Sequence, residues 1–224
     1  MDSPVAYIPL WVDVSAAGLG GIVGALAAAR ARFDINGALI LAIVTGLGGG
    51  LIRDLCLDQP PVALHNPWLL PTAVVAGIAT FVFSHQVDLV HGRLGPVVIV
   101  LDALFLAEYT VVGTAKAWDA GLPFLSCVFL GVITGVGGGV LRDILLNRQP
   151  VVLRPGTLEA GASVVGALAQ AGVALLAGPL VAALVGLAVV IALRLLSAFL
   201  GWETPPARIA PALVDPDEGS PGTA

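Results

Sequence analysis

The chain has 224 residues, of which 58% are hydrophobic and only 11% are charged. Soluble domains carry roughly 25% charged residues, so this composition excludes an ordinary soluble domain and indicates a protein whose solvent is lipid. The net charge is −5, but several of the acids lie at the ends of the chain, so this total says little about partners. The sequence has one lysine and no basic cluster, so we expect no nucleic-acid partner.

Seven apolar stretches are long enough to cross a hydrocarbon core, which needs about 20 helical residues. They lie near residues 8–29, 35–57, 69–87, 95–116, 122–146, 158–176 and 178–200. Short joints separate them, so no soluble domain is inserted. We therefore predict an all-α integral membrane protein with seven transmembrane helices. The transmembrane domain would cover residues 1–202, and the Pro-rich residues 203–224 would form a disordered cytoplasmic tail.

The basic residues at the ends of the spans predict the orientation, because cytoplasmic ends carry an excess of Lys and Arg. If Arg53 and Arg142 lie inside spans, one side of the membrane holds only Lys116. The other side holds seven arginines, namely Arg30, Arg32, Arg93, Arg148, Arg154, Arg194 and Arg208. We expect an N-terminus outside and a C-terminus in the cytoplasm.

An internal repeat divides the spans into two groups of three. Residues 45–64 read TGLGGGLIRDLCLDQPPVAL and residues 134–153 read TGVGGGVLRDILLNRQPVVL, identical at eleven of twenty positions at an offset of 89. Repeat 1 covers about 8–87, repeat 2 about 95–176, and the seventh helix at 178–200 lies outside both. Because three is odd, equivalent helices run in opposite directions, so the sequence predicts two inverted three-helix repeats plus one extra helix.

The shared motif is T-G-x-G-G-G-x-x-R-D, and its residue types are unfavourable in a membrane helix. Each Gly costs about 1 kcal/mol relative to Ala in a helix interior, and Arg or Asp in a span costs roughly 2.5–3.5 kcal/mol. Two such sites indicate a polar region at the repeat interface, with the second and fifth helices as its walls. Two simpler explanations stay open: glycines that only pack helices, and arginines that only snorkel to the interface. The predicted pore and hinge residues are Thr45, Gly48, Gly49, Gly50, Thr134, Gly137, Gly138 and Gly139.

The charged residues predict a network. Neighbours on a helix point about 100° apart, so we expect Arg53 and Arg142 not to pair with the Asp that follows each of them, and to find a carboxylate elsewhere. The alternatives are the acids early in the first and fourth spans, or the Asp of the other repeat. The predicted network is Arg53, Asp54, Arg142, Asp143, Asp13 and Asp102.

Three further charged residues lie in or near the spans. Glu108 lies in the middle of the fourth span, where the first repeat has Leu19. It is the best single candidate for a carboxylate that attracts cations. Lys116 and Arg194 lie near span ends, where we expect them to snorkel.

Enzyme motifs are absent from the sequence. The glycine runs lack the G-K-[ST] ending of a phosphate-binding loop and do not fit G-x-G-x-x-G. No metalloprotease or serine–histidine pattern is present either. We expect neither an enzymatic activity nor a cofactor.

The paired GLGGGLIRD and GVGGGVLRD motifs on the second and fifth spans closely resemble those of prokaryotic relatives of the trimeric intracellular cation (TRIC) channels. The resemblance covers residues 8–200. It implies a homotrimer in the inner (plasma) membrane of a prokaryote, with one ion path inside each protomer. It also implies that the second and fifth helices kink at their glycines, and that the pore passes potassium with some sodium.

Three functions stay open from the residues alone. Unwound backbone at the glycines would expose carbonyl oxygens to a cation, with the arginine charges offset by nearby aspartates, as a channel needs. Inverted repeats with broken helices are also typical of secondary transporters, here of a small solute such as glycine. The third possibility is an assembly protein with no permeation path.

Overall fold

The computed structural model describes residues 9–84, 95–154 and 158–200 of the chain, which form a bundle of helices. The helices are α1 (Leu10–Arg30), α2 (Ile35–Cys56), α3 (Val62–His65), α4 (Leu69–Ser84), α5 (Gly95–Asp119), α6 (Phe124–Leu145), α7 (Glu159–Ala177) and α8 (Pro179–Leu200). A 3-10 turn at Val151–Leu153 follows α6, and the single-turn α3 follows α2.

The helices confirm the predicted all-α membrane fold. Six of those described are long and apolar enough to cross a membrane, namely α1, α2, α5, α6, α7 and α8. The predicted span at 69–87 corresponds to α4, which is shorter at 16 residues. Its predicted last residues, 85–87, lie outside the described residues, as do Arg93 and the predicted tail at 203–224.

The packing of the helices shows the inverted repeat directly. Helices α1, α2 and α4 pack against one another, and so do α5, α6 and α7. Between the two groups, α2 packs against its counterpart α6, and α1 packs against its counterpart α5. Asp13 near the start of α1 contacts Lys116 near the end of α5, so these counterparts run antiparallel. Helix α8 packs against α7 and α5 and stands outside the repeat.

The repeat extends to the backbone of the turns. Arg32 and Gly121, which are 89 residues apart, both have a positive φ (59° and 74°) just after the first helix of each unit. Asp58 and Asn147, also 89 residues apart, both have a φ of 52° after the second helix. Gly, Asn and Asp tolerate this left-handed conformation, which ends a helix and turns the chain back. Matching helices therefore end by matching turns.

Small residues allow the helices to approach closely. Lipid is as apolar as a leucine side chain, so membrane helices associate through tight packing rather than through exclusion of water. At the α1–α4 contact, a Cβ added to Gly21 would lie 2.6 Å from the carbonyl oxygen of Ala73. By contrast, a Cβ on Gly172 in α7 would meet no atom within 4 Å. Large apolar side chains lie instead on the surface of the bundle, including Trp68, Leu176 and Leu180.

We predict that Gly21→Ala lowers the stability of the protein by about 1–3 kcal/mol, because the added methyl group would force α1 away from α4. Gly172→Ala is the matched control, and it should leave stability unchanged or raise it by up to about 1 kcal/mol through helix propensity. Thermal unfolding in detergent measures both. Equal melting temperatures for the two variants would contradict the packing argument.

Candidate functional site

The centre of the bundle is the crossing of α2 and α6, where the two backbones touch. A Cβ added to Gly49 would meet the carbonyl oxygen of Thr134, and a Cβ added to Gly138 would meet the carbonyl oxygen of Thr45. The two contacts are equivalent under the repeat. The middle glycine of each triplet therefore allows the opposite helix to cross at backbone contact.

The prediction of unwound backbone at the glycines is wrong. Both α2 and α6 are α-helical through their glycine triplets. An unbroken helix satisfies each backbone N–H and C=O internally, which a membrane interior demands. The glycines supply space for the neighbouring helix, and their predicted role as pore and hinge residues stays a prediction.

The third glycine of each triplet lies beside the guanidinium group of the motif arginine. A Cβ on Gly50 would lie 3.7 Å from Nη2 of Arg53, and a Cβ on Gly139 would lie 3.8 Å from Nη2 of Arg142. Arg53 is only 1% exposed. The guanidinium groups therefore lie back along their own helices and over the glycines, inside the bundle.

The first charge cluster consists of Asp13, Arg53, Asp54 and Lys116. Arg53 donates from Nη1 to Oδ1 of Asp13 at 3.3 Å and from Nε to Oδ1 of Asp54 at 2.8 Å. Lys116 donates to the other oxygen of Asp13 at 3.1 Å. Two cations and two carboxylates thus share one buried cluster, at the end of the bundle where α1 begins.

The second charge cluster lies at the opposite end and consists of Asp102, Arg142, Asp143, Glu159 and Arg194. Arg142 donates from Nε to Oδ1 of Asp143 at 2.9 Å, and its Nη1 lies 3.8 Å from Oδ1 of Asp102. Arg194 of α8 donates to Asp102 at 2.8 Å and to Glu159 at 2.7 Å. Lys116 follows Asp102 by 14 positions in α5, which separates the two clusters by about 21 Å along the helix.

The expectation that each arginine would not pair with the next aspartate is wrong. The 100° angle between neighbouring residues holds for their Cβ directions, but the arginine side chain is long and folds back so that Nε reaches the adjacent carboxylate. The expected partner on the first helix of the same repeat is also present, Asp13 for Arg53 and Asp102 for Arg142. A guanidinium group has five N–H donors and can bind both acids at once.

Lys116 and Arg194 do not snorkel as the sequence predicted, because each finds a buried carboxylate within reach. The side chain of Lys116 is 22% exposed and that of Arg194 is 12% exposed. Together with Glu159 they are cluster residues that sequence reasoning missed. A useful signal was available for Lys116, since it is the only lysine and the predicted topology places it at the same membrane face as Asp13.

Each motif aspartate also anchors the loop that follows its helix. The second oxygen of Asp54 accepts the backbone N–H of Val62 at 2.8 Å, and that of Asp143 accepts the N–H of Val151 at 2.9 Å. Both amides begin the short helical turn of the loop. Each of these carboxylates thus joins an arginine inside the bundle to a loop at the end of the bundle. A displacement of Arg53 or Arg142 would therefore shift the loop that its aspartate anchors.

Aromatic side chains of α5 fill the space between the two clusters. Tyr109 is buried and donates a hydrogen bond to the carbonyl oxygen of Gly46 in α2. Phe105 packs edge-on against it, with ring centroids 5.1 Å apart. The equivalent residues of repeat 1 are Ala16 and Gly20, whose small size leaves room for these rings. The two repeats thus differ at their shared centre.

A cavity of about 270 Å³ opens at the second cluster. Asp102, Arg142, Asp143, Glu159 and Arg194 line it, together with three more arginines, namely Arg30, Arg148 and Arg154.

Glu108 lies away from the crossing. Its Oε2 accepts a hydrogen bond from Oγ of Ser15 in α1 at 3.2 Å, and its side chain is half-buried. It belongs to neither charge cluster. Its predicted attraction of permeating cations stays a prediction.

Comparison with known proteins connects this geometry to a family. A solved TRIC cation channel shares 32% identity with the chain at a TM-score of 0.81, over 91% of this chain and 99% of that one. The TRIC orthologue from Rhodobacter sphaeroides shares 30% identity at a TM-score of 0.79, over 86% and 98% of the two chains. This chain belongs to the TRIC family.

Sequence relatives agree with this assignment. The UPF0126 inner membrane protein YadS of Escherichia coli (strain K12) is 38% identical over 72% of this chain and 76% of its own length. A UPF0126 membrane protein of Deinococcus radiodurans is 36% identical over 70% and 72%. A family model described as a glycine transporter matches residues 10–85 and 99–176, which are the two repeats. The TRIC fold and membrane location predicted from the doubled motif are thus confirmed.

We predict that Asp143→Ala releases the loop after α6, because Val151 loses its acceptor; the free energy of that bond is about 1–3 kcal/mol. Amide hydrogen exchange at Val151 should accelerate roughly tenfold or more. Asp143→Asn keeps an acceptor oxygen and should retain most of the protection. Asp58→Asn, an exposed change outside the cluster, serves as the control. Unchanged protection of Val151 in the alanine variant would disprove the anchor.

We also predict that Arg53→Met is more destabilising than Lys116→Met. Removing Arg53 leaves the buried Asp54 without a cation, which costs about 3–5 kcal/mol. Removing Lys116 leaves Asp13 still paired with Arg53, so the loss should stay near 1 kcal/mol. Denaturant titration in mixed micelles compares the two. Equal losses would mean that burial does not decide the strength of these pairs.

Proposed function

We propose that the protein is a potassium-permeable channel for monovalent cations, with a pore inside each protomer of a homotrimer and with α2 and α6 as its walls. The observation that carries the proposal is the pair of charge clusters at opposite ends of the α2–α6 crossing. The likeness to solved TRIC cation channels supports it. Polar groups of this kind are retained in a membrane interior mainly along ion or substrate paths.

The clusters remove the main electrostatic objection to a cation path beside arginines. In the first cluster two carboxylates balance Arg53 and Lys116, and in the second, three carboxylates face Arg142 and Arg194. Carboxylates therefore balance the arginines of the two clusters, while Arg30, Arg148 and Arg154 add positive charge around the cavity at the second cluster. The proposed path runs from one cluster to the other along the α2–α6 crossing, where Thr45 and Thr134 lie.

The same contacts suggest how the path is kept shut. Tyr109 is hydrogen-bonded to α2 beside Gly50, and the arginines hold α2 to α1 and α6 to α5. We infer that opening requires α2 and α6 to separate from these partners while the arginines exchange carboxylates. Because the arginines are charged, such a movement would respond to membrane voltage; each elementary charge that crosses contributes about 2.3 kcal/mol per 100 mV.

The proposed orientation has the N-terminus outside and the C-terminus in the cytoplasm. The arginine excess on the predicted cytoplasmic side supports it. In this orientation the first cluster faces outward, and the cavity at the second cluster opens to the cytoplasm of a prokaryotic cell. Potassium and some sodium are the proposed permeating ions.

A transporter of a small solute such as glycine is the alternative. The family model's description and the inverted repeats favour it. Two gated ends around a shared centre would suit alternating access as well as they suit a channel. The two functions differ in rate, because a channel passes many ions per opening and a transporter moves solute once per cycle.

We expect discrete single-channel potassium currents from purified protein in planar bilayers, and a trimer mass in native mass spectrometry of the same sample. Replacing potassium with N-methyl-D-glucamine should abolish the currents. Saturable glycine uptake into liposomes, driven by a proton or sodium gradient and without single-channel currents, would favour the transporter instead.

We further predict that Arg142→Ala alters the voltage response of those currents and raises open probability, because the Asp102 and Asp143 contacts would no longer hold α6. Arg148→Ala removes the same charge from an exposed position at the same end of the bundle. It should change conductance modestly and leave the voltage dependence as it is. A voltage response in Arg142→Ala equal to that of the parent protein would exclude this arginine from gating.

A further inference from the structure

A groove on the surface of the bundle lies apart from the proposed ion path. It has a volume of about 360 Å³ and runs between the start of α1, the middle of α5 and the first turns of α8. No residue of α2 or α6 lines it. Its lining residues are Pro9, Trp11, Val12, Glu108, Val111, Pro179, Leu180, Ala183, Leu184 and Leu187. All of these except Glu108 are apolar or aromatic.

Glu108 is the one charged group in this groove, and its hydrogen-bond partner is neutral. Oγ of Ser15 donates to its Oε2 at 3.2 Å. Among the described residues, the cations inside the bundle are committed to other acids: Arg53 and Lys116 to the first cluster, and Arg142 and Arg194 to the second. An acid in a membrane span usually pairs with a cation or faces water, and no cation of the described residues forms an ion pair with Glu108.

The position of Glu108 sets the kind of ligand that can reach it. Ser15 lies five residues after the start of α1, so the carboxylate lies about 8 Å below the end of the bundle. The wall around it exposes Trp11, Leu180 and Leu184 to the surroundings of the protein. A ligand must therefore carry both an apolar body and a group that satisfies a carboxylate.

We propose that this groove binds an amphipathic organic cation, a protonated amine or quaternary ammonium attached to an alkyl or aryl body. A protonated amine would donate a charge-assisted hydrogen bond to Glu108, while its body packs against Leu184 and Leu187. Trp11 lies at the mouth of the groove, where an indole ring attracts a cation as it enters.

Two other occupants fit the groove less well. An inorganic cation needs several oxygen ligands, whereas this groove offers one carboxylate and one hydroxyl group among the described residues. A second copy of the chain would have to bring a cation to Glu108. The described cations outside the two clusters lie at helix ends or in the loops, as Arg30 and Arg148 do, and not on a lipid-facing helix surface.

The test uses photolabelling of the full-length protein in liposomes with a diazirine-bearing decylamine. The matched neutral probe is the corresponding decanol. We expect the amine to label peptides of α1, α5 and α8 roughly tenfold more strongly than the alcohol. The reason is that a hydrogen bond between the ammonium group and the Glu108 carboxylate is stronger than one between the neutral hydroxyl group and the same carboxylate. Unlabelled decylamine should compete, and decanol should not.

Two variants and one control make the result decisive. Glu108→Gln should reduce amine labelling to the level of the alcohol. Leu184→Trp should reduce it by filling the groove with Glu108 intact. Asp58→Asn removes an exposed acid elsewhere and should leave labelling unchanged. All three variants should keep the melting temperature of the parent protein, which shows that the fold is kept.

Two outcomes would overturn the proposal. Equal labelling by amine and alcohol, insensitive to Glu108→Gln, would show an apolar groove that holds lipid without using its charge. Absence of labelling in the assembled protein, together with disulfide cross-linking between copies that carry Leu184→Cys, would show that a second copy covers this face. Both outcomes leave the proposed channel function untouched, since the groove lies outside the α2–α6 crossing.

Discussion

The contact between the backbones of α2 and α6 is the constraint on which the rest of the structure depends. Gly49 and Gly138 have no side chain at the point where each helix meets a threonine carbonyl of the other. At that separation a methyl group cannot fit, so the register of the two helices is set at the crossing. The register in turn puts both motif arginines at the ends of the crossing, on opposite sides of the bundle.

Burial of charge follows from this arrangement and explains why each arginine has several acids. A guanidinium group in a low-dielectric interior is stable only when its donors are paired. Arg53 uses the adjacent Asp54 and the more distant Asp13, and Arg142 uses Asp143 and Asp102 in the same way. Asp54 and Asp143 also accept a loop amide with their second oxygen, so each of these carboxylates connects an arginine to the loop after its helix.

The two repeats differ in the side chains at their shared centre and in the composition of their charge clusters. Phe105 and Tyr109 of the second repeat occupy the space that Ala16 and Gly20 leave in the first. The second cluster gains Arg194 from α8, which has no counterpart in the duplication. The protein therefore has two ends of similar design but different composition.

The sequence by itself determined the membrane class, the approximate positions of the long helices and the inverted duplication, because hydropathy and a gapless internal repeat are properties of the linear chain. It also identified Arg53, Arg142 and the four aspartates of the clusters, since charge in an apolar span is conspicuous. The choice of partners was decided only by the tertiary structure. A side chain as long as that of Arg53 can reach an adjacent residue or one 40 positions away, and Arg194 meets Asp102 only because α8 packs against α5. The glycine triplets show the same limit of sequence reasoning. Glycine as a residue type allows either a broken helix or a close crossing, and the structure shows the close crossing of α2 and α6.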